Sequence, residues 1–389
     1  MVRKKEIIFL LLVSIIAGFI IVSNAPLRRE YSDSPEGWSG GAKGVGLASI
    51  VSNFNIVSTQ LYLKSNDYIR ILYYASLGYI EAEYKEKMDG EEVFYQIIKE
   101  LVGEPDFNTQ LPDSNSSAVS IKIVNLANSD GYRDIDKVFI RSLSPVDLGV
   151  DRSLYTWRPD ATLGNEYDPY WGTLTKSQEY SCKVGIFPLV SFDELVKEAN
   201  LTAKATVNMY NSKFNSEIRN LVTNFTSPQN GQPGRVLINI FLNYLNDNNF
   251  DTKNRDEILY NFINSLYDLS ILTFKEKYHY QIAHLGQLST VEMQQSWLQT
   301  RPPFPSEFGS YGRLFELFVN KFGSGKSVRL TIPGSQVSTI STRVYNDGSS
   351  FYKEFTNASI LFGFDYFFSI EAGRKLGECL FDEYTYKKV

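Results

Sequence analysis

The sequence predicts an all-α fold of packed helical bundles set behind an amino-terminal hydrophobic segment. Three observations lead there. Apolar residues recur at i, i+3 and i+4 through 252–283, the spacing of one buried helix face. Ser191 and Glu194 form a capping box that opens a helix expected over 192–224. Phe, Tyr and Trp make up 14% of the chain, and large rings of this kind fill the gaps between helices.

Composition narrows the function classes. The 389 residues are 43% hydrophobic and 21% charged, enough apolar material for a sizeable core and too much for a disordered chain. Net charge is -5 and no basic run appears past residue 5, so a broad cationic face for nucleic acid is excluded. The two cysteines, Cys182 and Cys379, have no Cys-x-x-Cys or Cys/His spacing, which excludes structural zinc. They are either a disulfide in an exported chain or two buried thiols. The two histidines, His279 and His284, rule out any mechanism that needs well-separated imidazoles.

Arg3, Lys4 and Lys5 precede a nearly unbroken apolar run at 7–22, and Ser23, Asn24 and Ala25 follow as small residues. This pattern over 1–25 reads as a signal peptide or a signal anchor. The run falls short of the roughly 20 residues of a comfortable spanning helix, so both readings stand. Either leaves the basic flank inside and sends the body across. Residues 26–46 are polar and Gly-rich and read as a linker, which leaves 47–389 for the helical domain.

Within that domain, 68–84 places Ile69, Leu72, Tyr73, Ser76 and Ile80 at helical spacing, and 92–102 is a second amphipathic helix. Lone charges on both read as solvated faces. The Asn, Ser and Asp-rich stretch 108–130 reads as a surface loop leading into a short helix. An irregular aromatic segment, 156–176, carries Trp157, Pro159, Pro169, Trp171 and Gly172 and reads as a packing loop. A turn cluster at 227–234 separates the capped helix from further helices at 235–247 and 252–283. Gly-Ser-Gly-Lys-Ser at 323–327 lacks the spacing of a phosphate loop and reads as a turn. Glu194 and Glu198 read as solvated acids.

The candidate chemistry lies in three stretches of the last third. They are TFKEKYHYQIAH at 273–284, RPPFPSEFGSYG at 301–312, and 355–380 with Gly363, Asp365, Gly373 and Gly377. This layout resembles the vanadium-dependent haloperoxidases, which share a fold with the type 2 phosphatidic acid phosphatases. Their anion site is written Lys…Arg-Pro, Pro-Ser-Gly-His and Ser-Arg…His. The resemblance implies a haloperoxidase-type helical fold, with 68–84 as its first core helix and 156–176 as its Trp-Pro segment. It also implies a pocket where fork-shaped cations and a glycine amide hold an oxyanion and two imidazoles work on it.

The residues at those positions have changed. Lys277 stands where the family has its Lys, unless it only snorkels at a helix surface. His284, seven residues on, replaces Arg, and Leu285 replaces Pro. An ungapped alignment puts Phe308, Gly309, Ser310 and Tyr311 in the Pro-Ser-Gly-His slot and keeps a helix at 311–322 in step. The alternative, anchored on Pro305 and Ser306, ends in Phe308. Ala358 and Ser359 take the Ser-Arg slot, and Asp365 takes the place of the axial His. Lys277 and Gly309 would be the cofactor-binding remnants. Lys277 and Asp365 cancel where the family pocket carries three cations. Losing two Arg weakens anion binding by about 3–6 kcal/mol, on the order of a hundred- to ten-thousandfold. No metal or other cofactor is expected, and vanadate only if the family site is retained. His279 and His284 are expected as a surface pair at a helix C-terminus, where protonation is favoured.

These readings point to a non-catalytic, haloperoxidase-like protein of the extracytoplasmic face, a structural or binding module. It would be held to the membrane by its amino-terminal helix or secreted, with a protein partner or a second copy of itself and no nucleic acid. The alternative is a hydrolase or phosphatase with a rebuilt site. There Asp365 would be nucleophile or base, His284 acid–base and Lys277 the anion clamp, with Tyr311 beside them. The family's own halide oxidation comes third.

Overall fold

The computed structural model describes residues 46–58, 63, 65–103, 117–132, 156–157, 168, 170–174, 181–184, 191–211, 232–248, 250–291, 301–322, 327–333, 340–361 and 363–386. The expected signal or anchor at 1–25, the linker as far as 45 and most of the turn at 323–327 lie outside them. Among the described residues no helix is long and apolar enough to cross a membrane.

The chain is mostly helical. In order come α1 (Leu47–Ser58), α2 (Ser65–Ile80), α3 (Gly90–Val102), α4 (Ala118–Asn128), α5 (Phe192–Asn211) and α6 (Gln232–Asp247). They are followed by α7 (Thr252–Tyr280), α8 (Leu285–Leu288), α9 (Glu307–Phe322), α10 (Gly348–Leu361) and α11 (Phe367–Tyr386). α7 is the axis. Its 29 residues rise about 43 Å, and α2, α9 and α11 pack against it. Burial runs all round it, with Leu259, Phe262, Leu266, Tyr267 and Phe274 fully buried, as a central helix requires. Asp251 caps its start by accepting the Asn254 N–H at 3.0 Å. Gln281, left-handed at φ 48°, ends it three residues before the expected 283. The backbone then turns extended: Ile282 bridges Thr156, and the Trp157 N–H donates to the Gln281 carbonyl at 2.7 Å.

Several expectations shift at this level. The all-α reading gains a two-stranded antiparallel hairpin, β1 (Val328–Pro333) with β2 (Ile340–Tyr345), in register Val328 to Tyr345. The β-branched runs in both strands favour that pairing. The helix α4 lies inside the stretch read as a loop, because Ser117 and Ser120 form a capping box there. α6 begins at Gln232, so Pro233 and Gly234 belong to its first turn, where Pro is tolerated. Arg70 of α2 does not face water. It is 4% exposed and pairs with Asp130, just past the end of α4, at 2.8 Å. Glu198 is half-buried and accepts the Phe367 N–H at 2.8 Å, capping α11. Burial raises its carboxyl accordingly.

The aromatic segment packs as read. Trp171 is fully buried and its indole N–H donates to Ser270 at 2.9 Å. Gly172 lets this turn lie on α7, since a Cβ there would come 2.3 Å from the Lys275 Cα. The crossing of α9 and α11 is equally close. A Cβ on Gly309 would meet the Ile370 carbonyl oxygen at 2.4 Å, and one on Gly373 the Ser306 carbonyl oxygen at 2.3 Å. Cys182 and Cys379 are disulfide-bonded, which ties the 181–184 segment to α11.

Candidate functional site

The three stretches singled out in the sequence meet beside the carboxyl end of α7. Lys277 comes from its last turn. Ser306 and Glu307 come from the start of α9, and Ser359 and Asp365 from the end of α10 and the turn after it. Each is buried: Lys277 2%, Glu307 2%, Asp365 3%, with Ser306 and Ser359 at 0%. The short start of α9 is held by two backbone bonds. Ser306 donates its N–H to the Ser369 carbonyl of α11 at 3.0 Å, and its own carbonyl accepts the Ser310 N–H.

Lys277 does not snorkel. Its ammonium donates to the Pro302 carbonyl at 2.8 Å and lies 3.7 Å from Glu307. Burial lowers its pKa to about 8, against the pull of Glu307 and Asp365. Glu307 also takes Arg301, whose Nε is 2.9 Å from the same carboxylate oxygen. Asp365 accepts the Ser306 hydroxyl at 2.6 Å, with Ser359 alongside. Burial raises its carboxyl to about 6, and Lys277 and the two hydroxyls hold it from going higher.

The imidazoles take no part as a surface pair. His279 is exposed, whereas His284 is 1% exposed and caps α8. Its Nδ1 accepts the Gly286 N–H at 3.1 Å, which places the ring proton on Nε2. Burial, with the Lys277 charge adding to it, lowers its pKa to about 3. Protonation is therefore disfavoured, opposite to the expectation at a helix C-terminus.

The alignment preferred on the sequence places Gly309, Ser310 and Tyr311 in the anion slot, but Ser306 is the residue that reaches Asp365. Gly309 donates its N–H to the Ser306 hydroxyl at 2.9 Å, so that amide already serves the helix cap. Ser310 pairs with Thr273 of α7 at 3.1 Å. Tyr311 is buried five residues, about 7.5 Å, further along α9. Sequence reasoning also missed Arg301 and Glu307. The signal lay in the Pro-Ser-Glu-Phe run, which sets a carboxylate at the first position of a helix.

An oxyanion such as vanadate does not fit this donor set. Lys277 and Arg301 already face the Glu307 carboxylate, and Asp365 adds a second acid. The one imidazole brought here is a neutral helix cap whose Nδ1 lone pair is engaged. Among the described residues one other group has metal-ligand types, Cys182, Cys379 and Glu383, but its sulfurs are bonded to each other and offer no thiolate.

The fold is that of the vanadium-dependent haloperoxidases. The first bacterial vanadium-dependent iodoperoxidase superimposes with a TM-score of 0.62 at 13% identity, covering 88% of this chain and 96% of that one. A holo-type bacterial vanadium-dependent chloroperoxidase gives 0.57 at 11% identity, covering 84% and 93%. An apo-type bacterial chloroperoxidase gives 0.57 at 10%, covering 89% and 97%. No family model matches the sequence, and no curated protein matches it.

The raised Asp365 carboxyl makes a stability prediction. A folded-state pKa near 6 against 3.8 means that the ionised group costs about 3 kcal/mol at pH 7. Asp365→Asn keeps an acceptor for Ser306 without the charge. It is expected to stabilise the fold by up to that amount at pH 7, with the gain shrinking as pH falls from 6 towards 4. Urea unfolding at pH 7 and pH 4.5 reads it. A loss of stability at pH 7 would mean that the charge pair with Lys277 outweighs its desolvation.

Proposed function

We propose that this chain is a non-catalytic, haloperoxidase-like protein of the extracytoplasmic face, acting as a structural or binding module. The observation that carries this is the closed charge balance of the pocket. Both cations that could hold an oxyanion are matched by the chain's own Glu307 and Asp365. Electrostatic stabilisation of a developing charge needs donors aimed at empty space, and here Lys277 donates to the Pro302 carbonyl while both cations lie against the Glu307 carboxylate. The reading extends to organisation: residues 1–25 as signal or anchor, 26–46 as linker and 47–389 as the helical domain. The disulfide supports export, because such bonds persist in oxidising compartments. A membrane attachment through the amino-terminal segment, and a protein partner or second copy as binding target, belong to the same proposal.

The test is direct. A vanadium NMR titration is expected to show no uptake at micromolar vanadate, and protein mixed with vanadate, peroxide and bromide is expected to brominate nothing. Tight vanadate uptake would overturn the reading. A second reading, a rebuilt hydrolase, draws on the coexistence of a carboxyl raised to about 6 and an ammonium lowered to about 8 in one pocket. It requires phosphoester or ester hydrolysis that disappears in both Asp365→Ala and Lys277→Ala.

A further inference from the structure

We propose that the groove between the start of α7 and the ends of α9 and α11 is a binding site for a small aromatic carboxylate. Its cavity of about 390 Å³ falls in the range of natural small-molecule sites, about 300–1,000 Å³. It lies apart from the pocket described above, because Glu257 on its α7 wall and Lys277 are separated by about 30 Å of helix. The floor is Phe318 of α9, 1% exposed. Phe322, Phe381 and Tyr384 stand around that ring, with centroids 5.9, 5.4 and 6.5 Å from it. Tyr384 turns its hydroxyl onto Asn261 of α7, so it offers the groove its ring. Rings set at these spacings accept a further ring, stacked or edge-on.

The head group follows from Lys321. This residue stands in the last turn of α9, is exposed, and lines the same groove. Its Nζ lies 5.5 Å from the ring centroids of both Phe322 and Phe381, which hold the ammonium at the groove. Among the described residues no carboxylate pairs with it. A cation held on aromatic rings, with no acid of its own, is the charge complement of a carboxylate. Glu257, exposed on the α7 wall, limits how much negative charge the groove accepts. It disfavours a polyanion such as phosphate, and Lys321 disfavours an aromatic cation. A monoanion with a flat apolar body satisfies the rings and the lysine together.

The experiment uses full-length protein and 2-naphthoate, with 2-naphthamide as its uncharged counterpart, followed by saturation-transfer NMR and calorimetric titration. Wild type is expected to bind 2-naphthoate about tenfold or more tightly than 2-naphthamide, the weight of one charge-assisted contact. Inorganic phosphate is expected to displace neither. Lys321→Met keeps an apolar stem without the charge and is expected to bind the two probes alike. Thr385→Trp, which sets an indole into the cavity from α11, is expected to lose both. Circular dichroism melts check that each variant is folded, and if Thr385→Trp is not, the Lys321→Met comparison decides alone. Equal affinity of wild type for the two probes, or no uptake of either at millimolar concentration, overturns the proposal. So does a preference for 2-naphthoate that survives in folded Lys321→Met. Vanadate uptake is read at the other end of α7, so its outcome bears on the non-catalytic reading and leaves this one standing.

Discussion

Replacing both Cys182 and Cys379 by Ala is expected to cost about 5 kcal/mol of folding stability. The bond closes a loop of 197 residues, and the chain entropy it removes from the unfolded state grows with the logarithm of that length. The native side of the ledger is favourable too. Cys182 is buried, and Glu383 on α11 receives the Ser181 N–H at 3.1 Å, so the joined segment is held by hydrogen bonds as well as sulfur. Wild type unfolded in reductant is expected to lose a similar amount, since the entropic part depends only on the covalent link. Denaturant midpoints of oxidised, reduced and doubly substituted protein measure it. A loss below about 1 kcal/mol would mean that the unfolded chain is already compact around this loop. The consequence reaches the pocket, because α11 supplies the Gly373 contact and the Ser369 carbonyl that position Ser306. In a reducing compartment the same sequence would hold its pocket much less firmly.

What could be read from the sequence was what depends on local spacing. The period of α7, the capping box at Ser191 and the positions of Lys277, His284, Ser359 and Asp365 in three separate stretches are local facts; they give the helices, and the haloperoxidase-type fold is what the resemblance of those stretches implies. What could not be read was which of these side chains would touch. Ser306 meets Asp365 only because α9 and α11 cross at Gly309 and Gly373, a contact with no local signature. Tyr311 takes the last position of the anion slot in the ungapped alignment, which is favoured for keeping the helix in step, and that phase says nothing about where the helix starts. Arg301 reaches Glu307 across a Pro-rich turn without periodicity. The burial of Arg70 is hidden for a similar reason, since its partner lies 60 residues away and a charge on a helix face looks the same in sequence whether it meets water or a buried Asp. The hairpin lay in a short stretch where strand and turn compete at the level of composition.

Asp130→Ala is expected to cost about 3–5 kcal/mol, the range for breaking a buried ion pair from one side. The substitution strands more than Arg70. Asp130 accepts Arg70 Nε at 2.8 Å and its Nη2 at 3.2 Å, the Tyr132 N–H at 2.9 Å, and the hydroxyls of Tyr74 at 3.0 Å and Tyr267 at 3.2 Å. Arg70→Met leaves that carboxylate with its tyrosine and backbone donors, so it is expected to cost less than Asp130→Ala. The order matters more than either value. If the two costs are equal or reversed, the carboxylate is not the hub and the cation is. Tyr267 sits on α7 three turns before Lys277, so this cluster fixes α2 and the end of α4 against the helix that delivers the pocket's lysine. Under the proposed non-catalytic role, that rigidity serves the fold alone. Asp130→Ala is then expected to lower stability without making the protein take up vanadate, so that loss of scaffold and exposure of a site read out separately.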